Sequence, residues 1–518
     1  MFSKIKTSLR TQNLILLLIP LAFYLRIHRL AYQSFWEDEF ITIGRIRIPF
    51  DSMIANLFEV RNHVPLYFTL MRGWGLLGDS EFVLRFFSVI WGVLSVALIY
   101  QFGKQIARRT VGLIAALLLT ISPLHIWFSQ EVRMYSLLPF LVLATNFLLW
   151  MAINRRKRRY WLGYTAVTLL ALLTHYFAIL ILVAQYVFFS LNVRHLKAAF
   201  GKWFIASTVA GLPLAAWIFA IATSGGFAKA PIGWIPAARW FEPALTWLTL
   251  SVGSTINPRQ VIYTIPALLF FASVVAARPI RRKPQPDSLY LASYFLLCWL
   301  LVPILLTWLI SLDLPLAQKR AIYVDRYFVM TLPALLILVA LGWQRWQEKW
   351  RQPFLIPTAL AITIAITALS LNNLYNNPDY RRENWRSAIA YLEATWQPND
   401  LLLLPEGSIM PYLYYHDIPL PTQYIPPLPA DGSLTNDEIM AQVFSEIEGP
   451  VQRIWLLSGV NNGNPHGFPQ ERNQVVANAA AINRYRQWLD GRFPLLSEWQ
   501  TTGVYLTLYA YQSQSPPP

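Results

Sequence analysis

The sequence predicts a polytopic α-helical membrane protein that ends in a small α/β domain. Three observations carry this prediction. Of 518 residues, 55% are hydrophobic and only 14% charged, whereas soluble chains average about 25% charged; the mean hydropathy is +0.39. About eleven apolar segments approach the length needed to cross a bilayer, roughly 20 residues each. The charge also changes sign along the chain: residues 1–373 carry a net +22, and residues 374–518, which contain no lysine, a net −6.

The apolar segments fall near 12–30, 82–103, 111–127, 134–153, 160–174, 177–193, 203–222, 260–277, 288–311, 327–344 and 354–372. The fifth and sixth are short and divide around Thr174-His175-Tyr176. The first follows a basic start but lacks a small-residue cleavage site, so it reads as an anchor and not a signal peptide. Orientation follows from lysine and arginine in short loops. Basic residues cluster at the N-terminus, after the second segment, at Arg155-Arg156-Lys157-Arg158-Arg159, and after the sixth, eighth and tenth segments. These regions alternate correctly for one side, the cytoplasmic one. The other side receives the loop 31–81, the turn 128–133, the loops near 223–259 and 312–326, and the tail from about 374. The net charge of +16 is thus topological and does not point to nucleic acid. The single cysteine, Cys298, lies in an apolar run and excludes an intrachain disulfide.

The tail, 374–518, forms the second domain after the transmembrane domain 1–373. Leu401–Leu404, Arg453–Leu457 and Val504–Leu508 read as strands, and Trp385–Trp396 and Gln474–Leu489 as helices. The final Gln512–Pro518 has a disordered composition. No internal repeat, glycine-rich phosphate loop or zinc-ligand cluster is visible in the sequence.

Several motifs on the outer side bear ionisable groups. Phe35-Trp36-Glu37-Asp38-Glu39-Phe40 follows the first span. A carboxylate there, Asp38 or Glu39, can act as a general base or bind a divalent cation; the plainer reading is solvated acid at a helix end. His63, in Asn62-His63-Val64-Pro65, is a second base, a headgroup partner or a structural residue. Glu131, Arg133 and Tyr135 alternate at a membrane boundary. Arg133 offers a fork for phosphate or carboxylate, and the plainer reading is a Glu131–Arg133 surface pair with an interfacial tyrosine. Lys319, Arg320 and Arg326 place cations in an outer loop against the positive-inside bias. An anionic lipid phosphate would account for them, as would snorkelling at the interface. His175 reads best as a turn residue.

The order of these motifs resembles a known family. After the acidic motif come His63-Val64-Pro65-Leu66-Tyr67, Glu81–Ser88, Gln130–Tyr135, Thr174-His175-Tyr176-Phe177, Arg326-Tyr327-Phe328 and Asn384-Trp385-Arg386. The chain is similar over roughly 12–400 to bacterial GT-C fold glycosyltransferases, the broad group of protein O-mannosyltransferases and the aminoarabinose transferase of lipid A (glycosyltransferase family 39-like). The resemblance implies a GT-C-like fold, a polyprenyl-phosphate sugar donor, an inverting transfer, and a lipid, glycan or protein acceptor of the cell envelope. It implies catalysis by an acid of the first outer loop, here Asp38 with Glu39 beside it. It further implies donor-phosphate binding by Arg326, with Arg133, Lys319 and Arg320, and leaves His63, Glu131, Tyr135 and His175 as substrate-binding candidates. No cofactor is required in principle; a divalent cation stays open. Two other readings are a transporter or flippase of lipid-linked sugars, and a non-enzymatic envelope assembly protein. The first predicts ionisable groups inside spans and inverted repeats.

Overall fold

The computed structural model describes residues 2–61, 63–225, 235–257, 260–279, 288–312, 321–426, 434–447, 449–459 and 484–511. These form two compact units: Met1–Leu30 with Arg45–Tyr375, and Ala31–Gly44 with Asn376–Pro518. The tail is therefore not a domain by itself, because residues 31–44 of the first outer loop belong with it.

The first unit is helical. Its elements are α1 (Phe2–Ile27), the end of α2 (Glu37–Arg47), α3 (Phe50–Val60), α4 (Pro65–Trp74), α5 (Glu81–Ile106), α6 (Arg109–Ile121), α7 (Pro123–Ser129), α8 (Leu137–Arg155), α9 (Arg158–Thr174), α10 (Ile179–Leu191), α11 (Val193–Thr223), α12 (Glu242–Val252), α13 (Thr264–Ala276), α14 (Ser288–Ser311), α15 (Leu332–Trp350) and α16 (Leu355–Asn376). Every predicted apolar segment falls on a helix. Among the described residues, six helices are individually long and apolar enough to cross a bilayer, and the bent pair α6–α7 makes a seventh. Leu14–Ile27, Tyr176–Leu191 and Val261–Ala276 are apolar but shorter.

The core of this unit is α15. Every residue from Leu332 to Gln344 is buried, beneath α6, α13 and α14. A helix apolar on all sides suits such a position. Gly342 lets α13 approach closely, since a Cβ there would stand 2.1 Å from the carbonyl oxygen of Ser273. The loop 31–81 is largely helical. In it Ser80 caps α5 by accepting from the Val83 amide, and Glu81 adds favourable charge to the first turn.

The α6–α7 pair bends by 60° at Ser122, whose hydroxyl accepts from the His125 amide next to Pro123. The carbonyls freed at the end of α6 are met by the fully buried Arg26, which donates to Leu119 (3.0 Å) and Thr120 (3.2 Å). Arg26 also donates to Ala22 at 3.0 Å and lies 3.0 Å from Nδ1 of buried His125. Arg26 stands in the last turn of α1, so this buried charge lies at a segment end, where the sequence places the ionisable groups.

The second unit is an α/β domain with α17 (Trp385–Thr395), β1 (Asp400–Pro405), α18 (Glu406–Tyr415), β2 (Thr422–Ile425), α19 (Asn436–Ser445), β3 (Arg453–Gly459), β4 (Leu495–Thr501) and β5 (Val504–Ala510). The sheet order is β2-β1-β3-β5-β4. β1 runs parallel to β2 and β3, and β5 antiparallel to β3 and β4. The apolar runs in β1 and β3 are buried throughout, as expected for strands covered on both faces. One face packs Leu401, Leu403, Ile454 and Leu456 against Phe444 and Trp488. The expected strands and the helix from Trp385 are present. The expected helix 474–489 is described only from 484, and 484–490 are helical; its earlier part and Gln512–Pro518 lie outside the described residues.

Candidate functional site

In the helical unit, candidate residues converge from distant parts of the chain. His63 sits in the link between α3 and α4. Its imidazole lies between two guanidiniums: Arg45 is 3.0 Å from Nδ1 and Arg133 is 3.3 Å from Nε2. A guanidinium only donates, while a neutral imidazole has one acceptor nitrogen and an imidazolium has none. The surroundings therefore disfavour protonation. Burial first, then Arg133, Arg45, His175 and Arg326, hold the imidazole well below its usual pKa of 6.5.

Arg133 comes from a turn after α7 that is pinned on several sides. The Gln130 amide donates to the carbonyls of Arg26 (3.0 Å) and His28 (2.9 Å). Ser88 of α5 donates to the carbonyl of Glu131 at 2.6 Å, and Ser136 donates back to Ser88 at 2.7 Å. Glu131, Arg133 and Tyr135 are all buried. This removes the reading of a surface pair with an interfacial tyrosine.

Arg326 is the second residue of the tight turn Asp325–Thr331 that leads into α15. Asp325 accepts from the Thr246 hydroxyl of α12, and Thr246 in turn meets the Tyr323 hydroxyl at 2.7 Å. Through these bonds α12 fixes the turn. The guanidinium carbons of Arg326 and Arg133 each stand 5.8 Å from the Tyr135 ring centre. Tyr327 packs on His175 (4.8 Å) and Phe177 (4.4 Å). His175 occupies the break after α9 in extended backbone, where Nδ1 accepts from the Phe177 amide at 3.1 Å. Burial, then Arg133 and Arg326, push it down to about 3. It is a turn residue, as expected, but one facing the same cluster.

The structure thus groups His63, Arg133, Tyr135, His175 and Arg326. It adds Arg45, which the sequence reading passed over. Burial and then Arg133 lower Arg45 to about 10, so it stays cationic at neutral pH. The missed signal was a guanidinium in an outer loop, the same break of charge bias that marks Arg326. Lys319 and Arg320 lie outside the described residues. This group of guanidiniums and neutral imidazoles, with Arg45, Arg133 and His175 buried and His63 and Arg326 half-buried, is suited to a phosphate or another anion.

In the second unit the acids Glu37, Asp38 and Glu39 form the first turn of α2, where negative charge offsets the helix dipole. They are not equivalent. Glu39 is fully buried: one carboxylate oxygen accepts from the Trp36 amide (3.4 Å) and pairs with Arg382 (3.4 Å). Glu37 and Asp38 are half-buried. Glu383, a further acid that the sequence reading missed, is buried, and its Oε2 has no hydrogen-bond partner among the described residues. Burial first, with Glu37 and Asp38 adding repulsion, pushes its carboxyl up to about 8. Among the described residues, no group of three or more His, Cys, Asp or Glu side chains is placed to hold a metal ion.

A family model described as dolichyl-phosphate-mannose-protein mannosyltransferase matches residues 62–220, the stretch that holds His63, Glu131, Arg133, Tyr135 and His175. None of the curated proteins matches the sequence. Among solved structures, ArnT from Cupriavidus metallidurans bound to undecaprenyl phosphate is similar with a TM-score of 0.57 at 11% identity, over 97% of this chain and 99% of that one. The oligosaccharyltransferase of Archaeoglobus fulgidus, in complex with Zn and sulfate, is similar with a TM-score of 0.54 at 13% identity, over 95% of this chain and 72% of that one. The same archaeal enzyme, AglB, with an inhibitory peptide and a dolichol-phosphate gives 0.53 at 13%, over 99% and 75%. Helical framework and solved structures agree on a multi-pass membrane protein with the GT-C fold, and residues 62–220 are similar to the dolichyl-phosphate-mannose-protein mannosyltransferase family.

Proposed function

We propose that the chain transfers a sugar from a polyprenyl-phosphate donor to an envelope acceptor (lipid, glycan or protein) on the outer face of a bacterial cell membrane, with inversion at the anomeric carbon. The observation that carries this reading is the His63 imidazole held between Arg45 and Arg133, with Arg326 beside the same Tyr135 ring. Solved relatives of this fold carry undecaprenyl phosphate or a dolichol-phosphate, and a phosphate is the group such a cluster fits.

In the proposed reaction Asp38 takes the proton of the acceptor hydroxyl or amine. The acceptor atom bonds to the anomeric carbon as the bond from that carbon to the phosphate oxygen breaks. The polyprenyl phosphate leaves with the electron pair, and Arg326, Arg133 and Arg45 offset its growing charge. No cofactor is needed for this step. Glu39 supports the helix turn that carries Asp38. Glu131, Tyr135 and His175 shape the donor end.

The test uses the purified full-length chain in detergent. Undecaprenyl phosphate should bind, and undecaprenol, which lacks the phosphate, should bind at least ten-fold more weakly. Equal affinity would remove the phosphate site. Asp38→Asn should leave lipid binding intact and lower transfer by about 10²–10⁴-fold; activity within a few-fold of wild type would remove Asp38 from the base role. The bent pair α6–α7, with Arg26 buried at its break, is also what a flippase would use. Movement of intact labelled lipid-linked sugar across proteoliposomes, without cleavage, would favour that reading.

A further inference from the structure

Residues 31–44 are held from two directions within the second unit. One is the strap 381–386, which follows α16. The Arg382 amide donates to Gln33 Oε1 at 2.9 Å. The Ser34 hydroxyl donates to the carbonyl of Glu383 at 2.5 Å and accepts from the Trp385 amide at 3.1 Å. The Arg382 guanidinium stands 5.3 Å from the Trp36 ring centre and pairs with Glu39. Arg381 packs 5.5 Å from the Tyr32 ring, and Arg386 donates to the carbonyl of Ala31 at 3.3 Å. The strap is itself anchored to the sheet: Trp385 fills the space over Gly459 of β3, where a Cβ would meet the indole at 2.1 Å.

The other holder is α18. Tyr415 accepts from the Phe35 amide at 2.8 Å, and Tyr414 packs edge-on against Phe35 at 5.1 Å. Gly44 faces Met410 so closely that a Cβ would come within 3.2 Å.

We propose that this domain serves as a clamp for the acidic turn, and that Arg382 is a positioning residue that fixes the direction of Asp38 by gripping Glu39 and Trp36 on either side of it. The inference rests on the reading of Asp38 as the general base. It assigns the tail a role in catalysis. A guanidinium can pair with a carboxylate and cover an indole face at once; an ammonium cannot hold both in one plane. Glu39, being fully buried, depends on that partner.

The test compares Arg382→Gln, Arg382→Lys, Glu39→Gln and the double variant Arg382→Gln/Glu39→Gln in the full-length chain. Hydrogen exchange of peptides covering 35–44 needs no substrate. Exchange there should quicken at least ten-fold in Arg382→Gln and Glu39→Gln and less in Arg382→Lys. The double variant should be no worse than the single ones, because the pair acts as one unit. Arg486→Gln, which breaks a surface pair with Glu498, serves as a control and should leave 35–44 unchanged. Unchanged exchange at 35–44 in Arg382→Gln would overturn the clamp.

Activity is read as the return of the envelope glycans or glycolipids that deletion of the gene removes. Arg382→Gln should lose at least ten-fold in turnover with undecaprenyl phosphate binding unaltered, and Arg382→Lys should recover part. If Asp38→Asn is inactive while Arg382→Gln is fully active, the clamp fails and the base reading stands. If Asp38→Asn is active, the base reading fails, whatever the exchange shows.

Discussion

A guanidinium and an ammonium carry the same charge but present it differently. Arg326 shares the Tyr135 ring with Arg133, which places both guanidiniums at one site. Arg326→Lys keeps the charge and loses the fork. We expect it to be impaired, and Arg326→Ala to lose about 10–100-fold, the range of a charge-assisted hydrogen bond of roughly 1.5–3 kcal/mol. Because charge grows on the departing phosphate, the loss should appear in turnover as well as in donor binding; normal turnover in Arg326→Ala would remove it from the site. The titrating groups give a second prediction. Glu383 is raised from 4.5 to about 8 in the folded chain, so the folded state holds a proton that the unfolded chain gives up. Its contribution is fully present below about pH 4.5 and is lost as pH rises through 8. Glu383→Gln should therefore flatten the decline in melting temperature between about pH 4.5 and 8. His175 works at the other end: lowered from 6.5 to about 3, it makes the fold less stable as pH falls from about 6.5 toward 3. His175→Gln should shallow the acid limb of the same melting curve, and an unchanged limb would count against the assignment.

At the scale of elements, β1 and β3 are joined by more than their ladder. Arg453 grips Asp400 at 2.6 Å through Nε and at 2.5 Å through a terminal nitrogen, and the Trp455 indole donates to the same carboxylate at 2.9 Å. The Asp400 side chain is 1% exposed and that of Arg453 20%. Asp400→Ala leaves a mostly buried guanidinium without its carboxylate, which typically costs about 3–5 kcal/mol; the partial exposure of Arg453 places the expectation at the low end. Thermal or denaturant unfolding of the second unit would measure it, and a loss below about 1 kcal/mol would mean that water already supports the pair. These strands were legible in the sequence because short apolar runs bounded by turn residues have few other solutions. The short β2 and the helix α18, interrupted by Pro411, were not, since neither has a strong period of its own. The break at Ser122 was equally silent: the apolar run 111–127 reads as one span, and only a buried Arg26 from another helix makes its bend affordable.

At the scale of the whole chain, what the sequence shows and hides follows from one distinction. Helix positions depend on a local rule, the length of apolar chain that covers a bilayer, and each expected segment falls on a helix. The site depends on contacts between residues far apart in sequence. Arg45, His63, Arg133 and Arg326 come from separate elements, and nothing local marks the imidazole as the point where the guanidiniums meet. Arg382 and Glu383 were passed over because they follow the last apolar segment, where charge is ordinary. The distribution of charge is itself a whole-chain property, and it yields the last prediction. Lysine and arginine concentrate in every second short loop, while the tail has no lysine and a net charge of −6. Short basic loops stay in the cytoplasm, so the expected place of the tail and the acidic motif is the outer face, where the proposed acceptor must be. A fusion near residue 400 should be active with alkaline phosphatase, which folds only outside, and silent with a reporter that works only in the cytoplasm. A fusion within Arg155–Arg159 should give the reverse. If the tail fusion were active only inside, Asp38 would face the cytoplasm with it, and an outer-face transfer by this acid would be excluded whatever the affinity of the cluster for a lipid phosphate.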